Sequence, residues 1–400
     1  MQSYEAGRQD DQAAGPPAER MQLVAQQAAA LGCLFTSAQW TADGSTILAS
    51  TSDKRICTYI LPKDLLDRRG SPLRLDAQAT IGLAEPTQVV GPAPYFSLAD
   101  TASQVLLVGC RDHPLQLLHA FPARAPLQTY RLVRQQTEQH LWPASLLWPW
   151  PGSHFVCGSA DRLDYFDAAR DTPLRTLHTI PSRRHVLKGG GVGFKGTVSA
   201  LAAPQSCPSL VAAGTRTRAI GLYDLARCHS AVASWSLDGP GHGIVQLLWS
   251  PCARYLVVNE RRASSLVVYD MRASKLLARL SGRASTSQQR LVCDVYQGLE
   301  SPGFEVWAGD ELGRVCIWDR VGCSDASPEP SWSWPAHHAP VSSTALHPCG
   351  SVLATCSGAW RHTPDPALDG FGGPVARPHA ISTEPLPESC LNIWSLATLD

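Results

Sequence analysis

Apolar residues along this chain fall into short alternating runs, not into helical stripes. Leu266-Val267-Val268-Tyr269 and Val315-Cys316-Ile317-Trp318 read as half-buried strands. Each such run follows an apolar strand and a turn rich in Gly, Ser, Asp or Arg, and it ends in an aromatic residue. The clearest copies end in Tyr-Phe-Asp at 165–167, Leu-Tyr-Asp at 222–224, Val-Tyr-Asp at 268–270 and Ile-Trp-Asp at 317–319; weaker ones end at Tyr59, Leu118 and Trp394. Copies recur about every 46 to 76 residues, and repeats ending in Trp-Asp mark a β-propeller. The pattern predicts an all-β, seven-bladed WD-repeat β-propeller. Its blades fall at about 34–62, 95–121, 144–178, 197–237, 243–280, 290–320 and 341–394. The stretches 63–94, 122–143, 180–196 and 321–336 read as insertions. A Pro/Gly-rich stretch at 362–388 reads as a mobile loop that splits blade seven.

Two parts follow: an N-terminal tail over 1–31 and the propeller over 32–400. Residues 1–20 are polar, with Gly15-Pro16-Pro17 as a breaker, and read as disordered. Residues 20–31 either form a short helix or supply a strand. Few residues follow Trp394, so blade seven lacks an outer strand of its own. An unpaired edge is a liability, so N-terminal residues are predicted to close the ring.

Composition narrows the function classes. Hydrophobic residues make up 44% of the 400, enough for a large core. Lys+Arg and Asp+Glu are both 34, so the net charge is zero and any charged binding surface must be local. The 13 cysteines include no Cys-x-x-Cys pair. Cys57, Cys110, Cys157, Cys316 and Cys356 fall in predicted strands, as small buried hydrophobes of a reducing compartment do. No clustered ligands suggest zinc, and adjacent His337 and His338 point to opposite faces of a strand. The start is not a signal peptide, and no apolar run is long enough to span a membrane. A cytosolic or nuclear protein is expected.

Catalytic signatures are missing. Gly189 to Gly196 looks like a phosphate loop, but Phe194 separates Gly193 from Lys195 and a strand follows, so it reads as a connector. There is no Gly-x-Ser-x-Gly elbow. The chain is expected to be no enzyme and to use no cofactor.

The best positional signal lies in the turns between the second and third strands of each blade. These are Asp53-Lys54-Arg55, Arg111-Asp112-His113, Asp161-Arg162, Arg216-Thr217-Arg218, Glu260-Arg261-Arg262, Gly313-Arg314 and Trp360-Arg361. Each carries an Arg or Lys, and in a propeller they share one face. A basic ring around one channel mouth would suit phosphates. The plainer alternative is that Arg is a solvated turn residue here, with Asp53, Asp161 and Asp310 offsetting several charges. Most tryptophans sit at strand positions and read as core. Trp360 lies in a turn, either to stack on a base or to lie against the next blade. Trp332 and Trp334 read as packing down the 321–336 loop.

These residues resemble the telomerase Cajal body protein family, WD-repeat proteins whose fungal branch is linked to pre-mRNA splicing. Blade one carries Trp40-Thr-Ala-Asp43-Gly44-Ser45-x-Ile47-Leu48, then Ser52-Asp53-x-x-Ile56 and Tyr59-x-Leu61-Pro62. Blade six carries Thr286-Ser287-Gln288-Gln289-Arg290 before a strand containing Asp294, where the family's Thr-Asn-Gln-Arg is degraded at two positions. Blade seven carries Leu346-His347-Pro348, Leu353-Ala354-Thr355-Cys356-Ser357-Gly358, Arg361, an insertion and Leu391-x-Ile393-Trp394. The resemblance implies a nuclear, non-catalytic adaptor, a monomeric propeller within a larger complex. It would bind small nuclear RNA or a spliceosomal or telomerase ribonucleoprotein, alongside other nuclear proteins. The alternative is a protein–protein scaffold with no RNA contact. Gln289 and Arg290 open on the face picked out by charge. The expected contact set is therefore Arg111, Arg162, Arg216, Arg218, Arg261, Gln289, Arg290, Arg314, Trp360 and Arg361.

Overall fold

A computed structural model describes residues 21–67, 70–121, 125–134, 137–180, 193–227, 231–298, 302–323, 326–360 and 389–396. The expected tail at 1–20, Gly189 to Gly191, Arg361 and the loop at 362–388 lie outside these residues. The described residues form seven sheets, antiparallel but for one short parallel pair, six of four strands and one of five. We letter each blade's strands a to d from the channel outward. The a strands are Phe35–Trp40, Thr87–Pro92, Ser145–Leu147, Val198–Ala202, Ile244–Trp249, Cys293–Tyr296 and Val341–Leu346.

The ring is closed by the N-terminal segment. Met21–Ala28 is a strand, not a helix, and it pairs antiparallel with Cys390–Leu396 of blade seven. A short strand, Leu73–Arg74, then pairs parallel to it. The b strands Thr46–Thr51, Val105–Cys110, Tyr255–Glu260 and Val352–Ser357 are buried throughout, as is the a strand Val341–Leu346, because they lie between packed blades.

Three stretches expected to be insertions contain strands of the regular blade. Residues 63–94 hold the outer strand of blade one, Ala79–Gly82, and the first strand of blade two, Thr87–Pro92. Residues 122–143 hold Gln128–Tyr130, and 321–336 hold Trp332–Pro335. Outer strands are short and half-exposed, so their alternation is weak. Trp332 and Trp334 therefore stand on a strand, not in a loop. Their rings lie 5.3 Å apart, and Trp334 meets Trp394 of blade seven at 5.9 Å.

Polar side chains of the a strands stitch blade to blade. Ser145 Oγ donates to Val198 O (2.7 Å), Gln246 Nε2 to Cys293 O (2.8 Å), Ser343 Oγ to Ala38 O (3.1 Å) and Gln39 Nε2 to Val90 O (3.2 Å). These bonds use backbone acceptors that have no strand partner across the blade seam, where a buried orphan would be costly. Bulges at the first turn of strand a recur in blades one, two, four, five and seven. Each twists the strand at the channel rim.

Candidate functional site: an arginine sector on one channel mouth

In blades one, three, four and six, backbone bonds place the b–c turn at the end where the d strand leaves for the next blade: Leu83 N to Lys54 O (2.8 Å), Thr179 N to Asp161 O (2.9 Å), Leu237 N to Arg218 O (2.9 Å) and Ala336 N to Gly313 O (3.0 Å). The basic turns of these blades thus share one face. Left-handed backbone makes the close approach: Gly243 has φ +103, and a Cβ there would lie 2.6 Å from Arg216 O. Glycine alone lets this connection lie against the Arg216 turn.

Most of the ring is already neutralised. Arg162 forks onto Asp164 at 2.7 and 2.5 Å, with Asp164 fully buried. Arg218 forks onto buried Glu260 at 2.7 and 3.1 Å and donates to Gly239 O. Arg314 pairs with buried Asp310 at 2.8 Å. Arg55 pairs with Asp53, whose carboxyl is held down at about 2, chiefly by that guanidinium. Arg111 is exposed and lies 3.6 Å from Asp112.

Three predicted arginines have no carboxylate within ion-pair distance among the described residues: Arg216, Arg261 and Arg290. Arg261 donates through Nη1 to Gln288 O (3.1 Å). Burial lowers the pKa of all three, and like charge adds to it, Arg216 acting on Arg261 and Arg261 on Arg290. They therefore form a run of neighbours across blades four, five and six. Arg290 is exposed where blade six opens. All three stay charged, because an arginine begins far above neutrality. Positive groups held together without counter-charge attract an anion.

Gln289 ties this sector to blade seven. Its Nε2 donates to Gly358 O (2.7 Å), and its Oε1 accepts from Trp360 N at 3.3 Å. Trp360 stands 62% exposed beside it. Glu311 fixes the same loop, accepting from Thr286 N (2.8 Å), Thr286 Oγ1 (2.9 Å) and Ser287 N (3.0 Å).

Two residues of the sector escaped sequence reasoning. The first is Trp142, whose ring lies 4.4 Å from the Arg216 guanidinium and 5.7 Å from that of Arg111. Its Nε1 donates to Gln88 Oε1 (2.8 Å), which fixes the indole against blade two. A tryptophan outside strand positions was the available signal, as it was for Trp360. The second is Arg283, buried, with no carboxylate within ion-pair distance among the described residues. It donates to Gly309 O (2.8 Å), Asn259 Oδ1 (3.0 Å) and Leu291 O (3.2 Å), and so braces the 283–291 loop from beneath. Among the described residues no group of three or more His, Cys, Asp or Glu could hold a metal. No helix there is long and apolar enough to cross a membrane.

Fold and rim together define a WD-repeat β-propeller with a one-sided basic mouth. No family model matches the chain. It is similar to telomerase Cajal body protein 1 of Homo sapiens, 26% identical over 369 residues, which is 89% of this chain and 62% of that protein. The chain thus spans less than two thirds of that relative. It is also similar to guanine nucleotide-binding protein negative regulator 1 of Schizosaccharomyces pombe, 24% identical over 293 residues (71% of this chain, 70% of that one). Protein SWT21 of Eremothecium gossypii is 27% identical over 291 residues (70% of this chain, 66% of that one). The likeness read from blades one, six and seven extends over most of the chain.

Proposed function

We propose that this chain is a non-catalytic nuclear adaptor that holds a small nuclear RNA, within a ribonucleoprotein, on the rim of blades four to six. The observation that carries this reading is the run Arg216, Arg261 and Arg290, three cations of one mouth with no carboxylate partner among the described residues. Arginine forks suit phosphate oxygens, and phosphate contacts dominate RNA affinity. Trp360, exposed beside Gln289, supplies a face on which an unpaired base stacks. The nuclear ribonucleoprotein setting rests on the likeness to a protein named for telomerase and the Cajal body. Arg162, Arg218 and Arg314 are engaged by buried carboxylates and serve the fold of the rim. Arg111 stacks with Trp142 at its edge.

The test is filter binding of purified protein to small nuclear RNA across a potassium chloride series. The variant replaces Arg216, Arg261 and Arg290 with Gln. Each lost phosphate contact on a single strand lowers the salt slope by about 0.7, so the slope falls by about 2 if all three act. Unchanged affinity and slope, with partners recovered from cells after nuclease treatment, would make the rim a protein dock instead.

A further inference from the structure

The end of the propeller opposite the rim carries the a–b turns, and three of them are versions of one motif. They are Thr41-Ala42-Asp43-Gly44-Ser45 in blade one, Ser250-Pro251-Cys252-Ala253-Arg254 in blade five and His347-Pro348-Cys349-Gly350-Ser351 in blade seven. Their backbones agree. In each, the fourth residue's N–H donates to the first residue's carbonyl, at 2.9, 2.8 and 2.8 Å respectively. In each, the fourth residue is left-handed, with φ of 70, 55 and 74°. In each, the third side chain is hydrogen-bonded to the first. Asp43 Oδ1 takes it from Thr41 Oγ1 at 2.7 Å in blade one. In blade five Cys252 Sγ lies 3.2 Å from Ser250 Oγ. In blade seven Cys349 Sγ lies 2.7 Å from His347 Nδ1.

The His347 ring is fixed in one orientation. Its edge packs against Trp40, with ring centroids 4.9 Å apart, and its Nε2 faces Gly44 O at 3.0 Å. A carbonyl only accepts, so Nε2 carries the proton. Nδ1 is then the lone-pair nitrogen, and Cys349 N–H donates to it as well (3.1 Å). The arrangement is a nucleophile, a base and a group that orients the base, within hydrogen-bond reach of one another. Ser351 Oγ lies 2.9 Å from Cys349 Sγ on the other side, placed to donate to a thiolate. Cys349 is exposed, as are Cys207 and Cys252, but among the described residues neither of those has a histidine nitrogen at its sulfur.

We propose that Cys349 is a nucleophilic thiol with His347 as its general base, and that it is a site of reversible S-thiolation by low-molecular-weight disulfides. His347 Nδ1 takes the S–H proton as Sγ attacks one sulfur of the disulfide. The Sγ–S bond forms, the old S–S bond breaks, and the departing thiolate receives the proton from Nδ1. The Cys349 sulfur is formally oxidised from −2 to −1 while the departing sulfur is reduced from −1 to −2, and an external thiol reverses the step by the same route. Because the site lies at the end opposite the arginine rim, it stands or falls independently of the RNA reading.

The chain contains its own control, since Cys252 occupies the same turn with serine in place of histidine. The experiment incubates the reduced full-length chain with glutathione disulfide at pH 7 and follows mixed-disulfide formation at each peptide by mass spectrometry. Cys349 is expected to react at least about tenfold faster than Cys252. His347→Ser copies the blade-five turn and should bring Cys349 down to the Cys252 rate. Ser250→His should raise the Cys252 rate severalfold, and it carries the test if the first variant fails to fold. Equal rates at Cys349 and Cys252 in the unaltered chain would overturn the proposal, as would a Cys252 rate unmoved by Ser250→His.

Discussion

At the residue scale, two ionisable groups, one half-buried and one buried, set opposing pH slopes. Burial raises the Asp294 carboxyl to about 6, against hydrogen bonds from Leu346 N and Val295 N. Its stability contribution is therefore fully present below its ordinary value, near 4, and is lost as pH rises through about 6. His337 is held down at about 3, first by burial and then by His338, while its Nε2 meets Thr355 Oγ1 at 2.7 Å. Its contribution is present above its ordinary value and is lost as pH falls toward about 3. Between pH 4 and 6 the two slopes oppose each other, each worth at most about 1.4 kcal/mol per pH unit. Asp294→Asn removes the first and leaves the second. Urea midpoints of that variant should fall steadily from pH 6.5 to 4.5, more steeply than in the unaltered chain; a parallel pair of curves would show that Asp294 does not titrate in this range.

The rim arginines separate at the same scale. Arg218→Ala would strand Glu260, whose side chain is 2% exposed, and should cost about 3 kcal/mol or more in chemical denaturation. Arg261→Ala removes no buried partner and should stay within about 0.5 kcal/mol. The sequence made these two residues look alike, because both are arginines of b–c turns. What separates them is a carboxylate 42 residues away, brought over by the next blade. Pairings of that kind depend on how neighbouring sheets meet, and no local pattern encodes them. Arg290 entered by another route, the family resemblance: it follows Gln289 just before the first strand of blade six.

At the element scale, the closing strand was legible from arithmetic. Met21–Ala28 supplies the outer strand of blade seven, with Val24 and Ala25 buried against Leu391 and Ile393. The outer strands were not legible in blades one, two and six. They are as short as Gln128–Tyr130, and only one of those three residues is buried, so the apolar alternation that marked the inner strands has nothing to register there. Removing residues 21–28 should leave the edge of Cys390–Leu396 open, lower the thermal midpoint and promote self-association by edge pairing. A synthetic peptide of that segment added in trans should raise the midpoint with increasing concentration. If the truncated chain melts like the intact one, the ring does not depend on this closure.

At the scale of the whole molecule, the charge balance makes the rim's effect separable from bulk electrostatics. With Lys+Arg and Asp+Glu both 34, a neutral chain exerts little long-range pull, so anion capture must come from how charge is distributed. Carboxylates hold down most of the ring, and among the described residues Arg216, Arg261 and Arg290 have none within ion-pair distance. A charge reversal in that sector should therefore act far more strongly than the same reversal elsewhere. Arg261→Glu places an acid between Arg216 and Arg290 and should slow RNA association at low salt by tenfold or more, with the difference shrinking as salt rises. Arg74→Glu, on the outer edge of blade seven, makes an identical change in net charge; Arg74 is exposed and lies 3.3 Å from Asp76. It should leave the association rate nearly unchanged. Stopped-flow association across a salt series compares the two directly. Equal slowing in both variants would mean that RNA responds to total charge and that the rim has no privileged role.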